Sequence, residues 1–377
     1  MLTGICLKAH PTLEQRKVLS QWMGCAKTIW NAKTEEERYQ TRFARKYYPI
    51  GTYAPIDQSF AQYKHPELTP WLSDCPSQIL RNSAVNWYKT YRKFIKGECG
   101  KPKRKRFDDR GSIHLTRELF QFVTGKDGVE RLFIGSKTNN IGFLSIKNHS
   151  QYNKPKSIYI KRQNGRYTVS FCYDDGDDQP LLSDNEAHLD YLRGASQAYL
   201  LAHVIGVDRG GVRPVQAGDD DYDFTEKQKA KQEKKTAYIK RQQKRLARQV
   251  KGSNRRNRTK QKISKAHNKI GNIRNDFCHQ TSRKLIDLPE AKVIVFEDLR
   301  TQSMTRKPKA KQDDRGRYVS NKAKQKAGLN KAILNVGWHK LEVFTQYKAH
   351  RAGKAFFKVS AYHTSKECAV CSHIHPL

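Results

Sequence analysis

LLAHVIGVDRGGV, residues 200–212, is the stretch whose reading decides the fold. It reads as a buried β-strand: Val204, Ile205 and Val207 are apolar, Asp208 ends the run, and a glycine-rich turn follows. A second stretch, AKVIVFEDL at 291–299, has the same form, with Val293, Ile294, Val295 and Phe296 leading to Glu297 and then Asp298. Short apolar runs closed by turn residues and separated by helical sequence are the pattern of an α/β sheet. An ionised carboxylate at the end of a buried strand is costly unless something pairs with it. Two brought together repel, and a hard divalent cation such as Mg²⁺ resolves the conflict. Two such ions about 4 Å apart activate a water and stabilise the leaving oxygen of a phosphodiester. Each carboxylate taken singly is equally a turn or cap residue, and chemistry alone does not choose between Glu297 and Asp298.

Between the two strands, residues 225–285 hold 13 Lys and 8 Arg against Glu226, Glu233 and Asp276. Ile263, Ala266, Ile270, Ile273 and Phe277 keep helical spacing, so the expectation is a packed helix with a basic outer face, broken near Gly252-Ser253. Arg241, Arg245, Arg248, Arg255, Arg256 and Arg274 are its candidate nucleic-acid contacts. The whole chain repeats the bias: 377 residues carry 73 Lys+Arg and 36 Asp+Glu, a net charge of +37, which makes a polyanion the first partner to consider. With 18 Tyr, 15 Phe and 37% hydrophobic residues the chain can build a core, which excludes wholesale disorder. No run approaches the ~18 apolar residues of a membrane span. The opening MLTGICLKAH lacks the apolar core of a secretory signal. Six of the eight cysteines (6, 25, 75, 99, 172, 278) are scattered singly, which points to a reducing cytoplasm or nucleoid rather than a disulfide framework.

Upstream, residues 3–9 read as a strand and Thr12 with Gln15 as a capping box. Leu19, Trp22, Ala26 and Ile29 make one helix face, and a second helix after Pro76 buries Leu80, Ala84, Trp87, Tyr91 and Phe94. In the loop-rich stretch between them, Tyr47, Tyr48 and Tyr53 are candidates for stacking on bases. At the second helix's start, Ser77, Gln78, Arg81 and Asn82 are candidate DNA contacts, because short polar groups there read base edges or hold phosphate; Ser77 is equally a helix cap. Lys103, Arg104, Lys105 and Arg106 crowd a Gly/Pro-bounded segment that is either a linker or a phosphate-contacting turn. From 113 to 174 apolar residues alternate with polar ones, and Asn164-Gly165 is a two-residue hairpin signal, which suggests a small β-barrel or sandwich that includes strand 3–9. Leu181–Ala198 reads as an acidic loop. Downstream, one helix carrying Leu329, Ile333, Leu341 and Phe344 precedes a strand at Ala355–Val359. Cys368 and Cys371 then read as half of a zinc site, with plain exposed thiols as the alternative. Closing that site with His373 and His375 would crowd four ligands into eight residues, too few for an easy tetrahedron.

These motifs resemble a known family. GVDRG at 206–210 resembles the first RuvC motif of TnpB, the RNA-guided nuclease of bacterial insertion sequences, and VFEDL at 295–299 resembles the second. SKAHNKIGNIRNDFCHQTSRKLI (264–286) is similar to the helix before the Glu strand. NVGWHKLEVFTQYKAHRAG (335–353) and YHTSKECAVC (362–371) resemble the helix, strand and first zinc-ribbon knuckle that follow. The likeness is specific over 200–375 and weaker before, where PSQILRNS (76–83) agrees. It implies a multidomain α/β plus β-barrel protein. Its parts would be an oligonucleotide-binding-type wedge barrel at 1–10 and 108–184, an inserted helical recognition module at 11–107, an RNase H-like RuvC nuclease domain at 200–366, and a partial zinc ribbon at 367–377. It puts the catalytic and Mg²⁺-binding roles on Asp208 and Glu297, with two Mg²⁺ in a complete site, and a structural Zn²⁺ at Cys368 and Cys371. It implies a guide RNA from the transposon end, a double-stranded DNA target cut beside a short adjacent motif, no membrane, a monomer on its RNA, and kinship with type V CRISPR effectors.

Two departures bear on activity. The family's second Cys pair and third catalytic Asp are absent from these 377 residues; after Asp314 the acidic residues are Glu342 and Glu367. The sequence stops inside a motif, which reads as a chain cut short. The alternative is a nuclease-inactive, RNA-guided DNA-binding protein that acts as a repressor. A structural RNA-binding protein with incidental carboxylates stands third, and a strand-transfer transposase finds no tyrosine-nucleophile motif to support it.

Overall fold

The computed structural model describes residues 2–49, 51–52, 56–125, 127–136, 139–148, 151–176, 185–211, 213–362, 364 and 373–374. The chain divides into two units, residues 1–179 and 180–377, each with a hydrophobic core of its own.

The first unit begins with β1 (Leu2–His10) and continues into α1 (Leu13–Tyr39), α2 (Arg45–Tyr47) and α3 (Ser77–Ile95). Thr12 and Gln15 form the capping box reciprocally, at 3.3 and 3.0 Å, a device worth about 1 kcal/mol. The predicted faces are the buried ones, except that Phe94 at the end of α3 is only half-buried. Leu19, Trp22, Ala26 and Ile29 of α1 and Leu80, Ala84, Trp87 and Tyr91 of α3 all lie in the interior. The Trp87 indole donates to the Thr34 hydroxyl at 3.0 Å, which satisfies both polar groups inside the core.

Six strands follow: β2 (Gly111–Thr116), β3 (Phe120–Thr124), β4 (Glu130–Gly135), β5 (Asn140–Lys147), β6 (Ser157–Gln163) and β7 (Arg166–Asp174). With β1 they form an antiparallel sheet in the order β2-β6-β7-β1-β5-β4-β3. The chain's first strand is thus central, and the helices are an insertion in the sheet's sequence. The two edge strands are joined by the three residues Arg117–Leu119. That link spans at most about 14 Å, whereas seven strands laid flat would hold the edges nearly 30 Å apart. The sheet therefore curls toward a barrel. Asn164 (φ 52°) and Gly165 (φ 75°) make the β6–β7 turn with both central residues left-handed, the geometry an Asn-Gly hairpin selects.

The second unit contains α4 (Asn185–Gly194), α5 (Gln197–His203), β8 (Val204–Asp208), β9 (Val215–Ala217), β10 (Asp220–Tyr222), α6 (Glu226–Ala247), α7 (Asn254–Asp287) and β11 (Val293–Glu297). It closes with α8 (Thr301–Met304), a small hairpin of β12 (Lys311–Gln312) and β13 (Tyr318–Val319), α9 (Ala323–Val336), α10 (Trp338–Arg351) and β14 (Ala355–Val359). Its main sheet runs β10-β9-β8-β11-β14, with β8, β11 and β14 parallel. The predicted break between the basic helices falls at Gly252 (φ 87°), and Ser253 caps α7.

Three expectations are corrected. The acidic stretch at 181–198 is not a loop where it is described: α4 occupies most of it, and Ser196 caps α5 by accepting from Tyr199 N at 3.2 Å. Because that cap starts a helix, Leu200–His203 belong to α5, and the strand begins only at Val204. Leu201 is 79% exposed, so these leucines are not core, and β8 is half-buried with Gly206 and Asp208 facing out. The single helix expected around 329–344 is two, because Gly337 takes a left-handed φ of 82° between α9 and α10. Among the described residues no helix is long and apolar enough to cross a membrane.

Candidate functional site

β8 and β11 run parallel in register from Val204↔Val293 to Val207↔Phe296. One residue further along both strands stand Asp208 and Glu297. Neighbouring strands are about 4.8 Å apart, so the two predicted carboxylates are brought side by side. Val207 and Phe296 turn into the core, at 3% and 0% exposure. By alternation Asp208 and Glu297 share the opposite face, the first exposed and the second half-buried. The turn after Asp208 closes tightly: a Cβ on Gly210 would lie 2.4 Å from the Arg213 carbonyl oxygen, so only glycine fits there.

The carboxylates nearby are each engaged, and two of them share Lys358. Glu297 Oε1 accepts from the Thr364 hydroxyl at 2.5 Å. Asp298 is ion-paired to Lys358 at 3.2 Å, and its amide donates to Val359 O at 2.8 Å. Arg209 is fully buried; it donates to Glu342 at 2.9 Å and also to the carbonyl oxygen of Glu297. Glu342 accepts from Lys358 at 3.1 Å as well, and these two acids hold the Lys358 ammonium above its ordinary pKa. Arg209, Glu342, Lys358 and Thr364 were not singled out by sequence reasoning. Their only advance signals were an arginine following a strand-end Asp and a lone acid in a basic helix.

Mg²⁺ keeps several waters and takes one or two protein carboxylates, which a half-open pair on adjacent strand ends supplies. Among the described residues no group of three or more His, Cys, Asp or Glu side chains is assembled for a metal. Cys368, Cys371 and His375 lie outside the described residues, as does Tyr53.

The basic candidates separate into exposed and committed residues. Arg241, Arg245, Arg248 and Arg255 are exposed on α6 and α7. Arg256 is not free: its guanidinium donates to the carbonyls of Leu246 and Gln249 and so closes the end of α6. Arg274 is half-buried and bonded to Asn335, and burial lowers its pKa. At the start of α3, Ser77 and Arg81 are exposed. Gln78 and Asn82 are buried, with their amides spent on Glu118, on Thr116 N at 3.2 Å and on His114 O at 2.9 Å. They are corrected from base-reading candidates to groups that seat α3 on β2. The cap expected of Ser77 is not made either, because Pro76 holds the N-cap position.

The 103–106 segment is a strap rather than a loose linker. The Trp30 indole donates to Lys103 O at 2.9 Å. Asn31 donates to Lys105 O at 3.0 Å and accepts from Lys105 N at 2.7 Å, and Lys27 reaches Arg106 O at 3.0 Å. With its backbone held on α1, the side chains of Lys103, Arg104 and Arg106 face solvent, while that of Lys105 folds its ammonium back onto Trp30. Beside it a cleft of about 590 Å³ is lined by Lys27, Lys105, Arg110, Lys161 and Arg162 among others. The ammonium of Lys105 packs 3.5 Å from the Trp30 ring centre; burial there, with Lys27 adding repulsion, pushes it down to about 8. Tyr47 and Tyr48 are exposed and gather around Phe43, at ring separations of 4.8 and 6.0 Å.

With this geometry in place, known proteins offer a comparison. A family model described as OrfB_IS605, "Probable transposase", matches residues 213–307, and one described as the TNB domain of Cas12f1-like proteins matches 338–376. The chain is 25% identical over 376 residues to the "Putative RNA-guided DNA endonuclease InsQ" of Escherichia coli (strain K12), covering 99% of this chain and 84% of that one. It is 21% identical over 368 residues to a "Putative RNA-guided DNA endonuclease" of Streptomyces pristinaespiralis, covering 97% and 79%. A solved Cas12f1–sgRNA–target DNA complex shares the fold at a TM-score of 0.57 and 13% identity, over 97% of this chain and 76% of that one. A transposase model across the basic helices and the Glu297 strand, a TNB model behind it, and near full-length similarity to InsQ agree with the TnpB resemblance of the motifs at 206–210 and 295–299.

Proposed function

We propose that this chain is an RNA-guided DNA endonuclease that hydrolyses phosphodiester bonds with Mg²⁺ held by Asp208 and Glu297. The observation that carries the reading is the parallel register that makes these two acids neighbours at the strand ends. In this reading residues 200–366 are an RNase H-like RuvC domain. Residues 1–10 and 108–184 are an oligonucleotide-binding-type wedge barrel, and 11–107 a recognition module. Cys368 and Cys371 hold a structural Zn²⁺. The partners are a guide RNA from the transposon end and a double-stranded DNA target next to a short adjacent motif.

The reading is supported by chemistry at both ends of the argument. Magnesium, when bound, would activate a water and stabilise the departing oxygen. The protein's share is to hold the two carboxylates in register and to offer a surface that grips a phosphate backbone while base pairing reads sequence. The exposed arginines of α6 and α7, the strap at 103–106 and the basic cleft suit that second task.

The test is cleavage of a matched duplex by the guide-loaded protein in Mg²⁺. Cutting that is abolished by chelation and by Asp208→Ala, with guide binding intact, is the expected result. Cutting that survives Asp208→Ala overturns the assignment. Matched-duplex binding with no cutting at all would make the protein a guide-dependent DNA-binding protein instead.

A further inference from the structure

We infer that Arg209 and Glu342 are positioning residues: the arginine ties the two carboxylate-bearing strand ends together, and the glutamate keeps its charge off Asp208. This rests on the reading of Asp208 and Glu297 as a magnesium pair. The register between β8 and β11 is given through Val207↔Phe296, so the acids sit where the ladder runs out. At that point Arg209, the next residue after Asp208, reaches across and donates to the carbonyl oxygen of Glu297 itself. One side chain thereby bridges the main chain of both strand ends.

The rest of the guanidinium is occupied and shielded. It lies 5.1 Å from the Phe296 ring centre and 6.0 Å from that of Trp338, and its other arm is ion-paired to Glu342 at 2.9 Å. A planar, forked cation suits this slot: two donors diverge to two acceptors while the face packs on rings, which an ammonium does not reproduce. Its Nε is buried without a hydrogen-bond partner. An apolar residue would avoid that penalty and the desolvation of a charge, so packing alone does not account for an arginine here.

Glu342 answers a second need. A guanidinium one residue from Asp208 would pair with that carboxylate and compete with any metal. Instead its charge is spent on Glu342, and among the described residues no group donates to the Asp208 carboxylate. Glu342 continues through Lys358 to Asp298, so α10, β14 and the end of β11 are joined to the same arginine. This linkage occupies Asp298 as well, and leaves Glu297 as the acid beside Asp208.

The test uses the RNA-free full chain and Mn²⁺ alone, followed by the EPR signal of free Mn²⁺, with circular dichroism and melting temperature on every variant. Wild type binds Mn²⁺, and Asp208→Ala removes that binding. Glu342→Gln, which leaves an uncompensated guanidinium beside the site, weakens Mn²⁺ binding by about tenfold or more, the size usual for groups that orient metal ligands. Arg209→Lys keeps the charge but lacks the fork, and weakens it less. If the single variants unfold, Arg209→Met combined with Glu342→Met decides, because apolar replacement of a buried ion pair generally preserves stability; it still removes the grip on Glu297, so weaker Mn²⁺ binding is expected. Wild-type Mn²⁺ affinity in a folded Glu342→Gln or double-Met protein overturns the inference. Mn²⁺ binding that persists in Asp208→Ala instead overturns the metal reading beneath it.

Discussion

Each unit of this molecule buries a cation between aromatic rings, and the two cations do different work. In the first unit Lys33 is fully buried, 5.9 Å from the Tyr63 ring centre and 5.8 Å from that of Trp87, paired with Glu36 and, at 3.3 Å, with Asp57. In the second Arg209 lies against Phe296 and Trp338 and pairs with Glu342. The partners of Lys33 are 3 and 24 residues away, so it staples a helix to the loop beyond it. Those of Arg209 are 88 and 133 residues away, and one of them is the backbone of a candidate metal ligand. The same physical device is a local fastener in one place and a long-range alignment in the other. The distance in sequence that a buried charge spans indicates which.

Lys33→Ala gives the largest expected stability change. Breaking a buried ion pair by removing one partner costs about 3–5 kcal/mol, and because Glu36 and Asp57 keep 24% and 44% of their side-chain exposure, the low end applies, about 3 kcal/mol. Urea unfolding should show this loss while Mn²⁺ binding stays at the wild-type level. The contrast breaks if Lys33→Ala shifts Mn²⁺ affinity as Glu342→Gln does, for then neither cation would be local.

The next effect is electrostatic, and it concerns a charge on the strap rather than one inside a core. The Lys105 ammonium, pushed down to about 8 by burial and by Lys27, loses its proton within the working range of pH. RNA affinity should fall as pH rises from 7 to 9, by a few-fold for one lost phosphate contact, and Lys105→Arg should flatten that profile. The stability effect runs the other way. A base with a lowered folded-state pKa binds fewer protons folded than unfolded between about 8 and 10.5, so stability rises with pH across that window. An affinity profile unchanged by Lys105→Arg would remove the strap's Lys105 from the contact surface.

Much of this was legible in the sequence where a single local rule acts. The Thr12 capping box, the Asn-Gly hairpin, the break at Gly252 and the two strands ending in Asp208 and Glu297 each follow from a few neighbouring residues. What escaped depends on residues far apart. The helix over Leu200–His203 begins at a serine cap just before an apolar run, and that run imitates a strand. Gln78 and Asn82 look like surface amides until β2, more than thirty residues on, takes up their hydrogen bonds. Arg209 and Glu342 meet across 133 residues, and no periodicity announces such a pair.

The smallest effect separates two adjacent arginines that sequence treats as equals. Arg255 is exposed on α7, while Arg256 turns back to hold the carbonyls of Leu246 and Gln249 at the end of α6. Cations at a helix C-terminus contribute about 0.3–1 kcal/mol, so Arg256→Ala should lower stability by roughly that amount and leave the salt dependence of RNA binding nearly unchanged. Arg255→Ala should do the reverse, with no change in melting temperature and a log-affinity versus log-salt slope shallower by about 1. Because the two side chains share a helix turn and a charge, the pair of measurements holds composition and net charge constant. If both variants shift the salt slope alike, Arg256 releases its carbonyls to meet nucleic acid, and the division between committed and exposed basic residues fails at the place where it is drawn most finely.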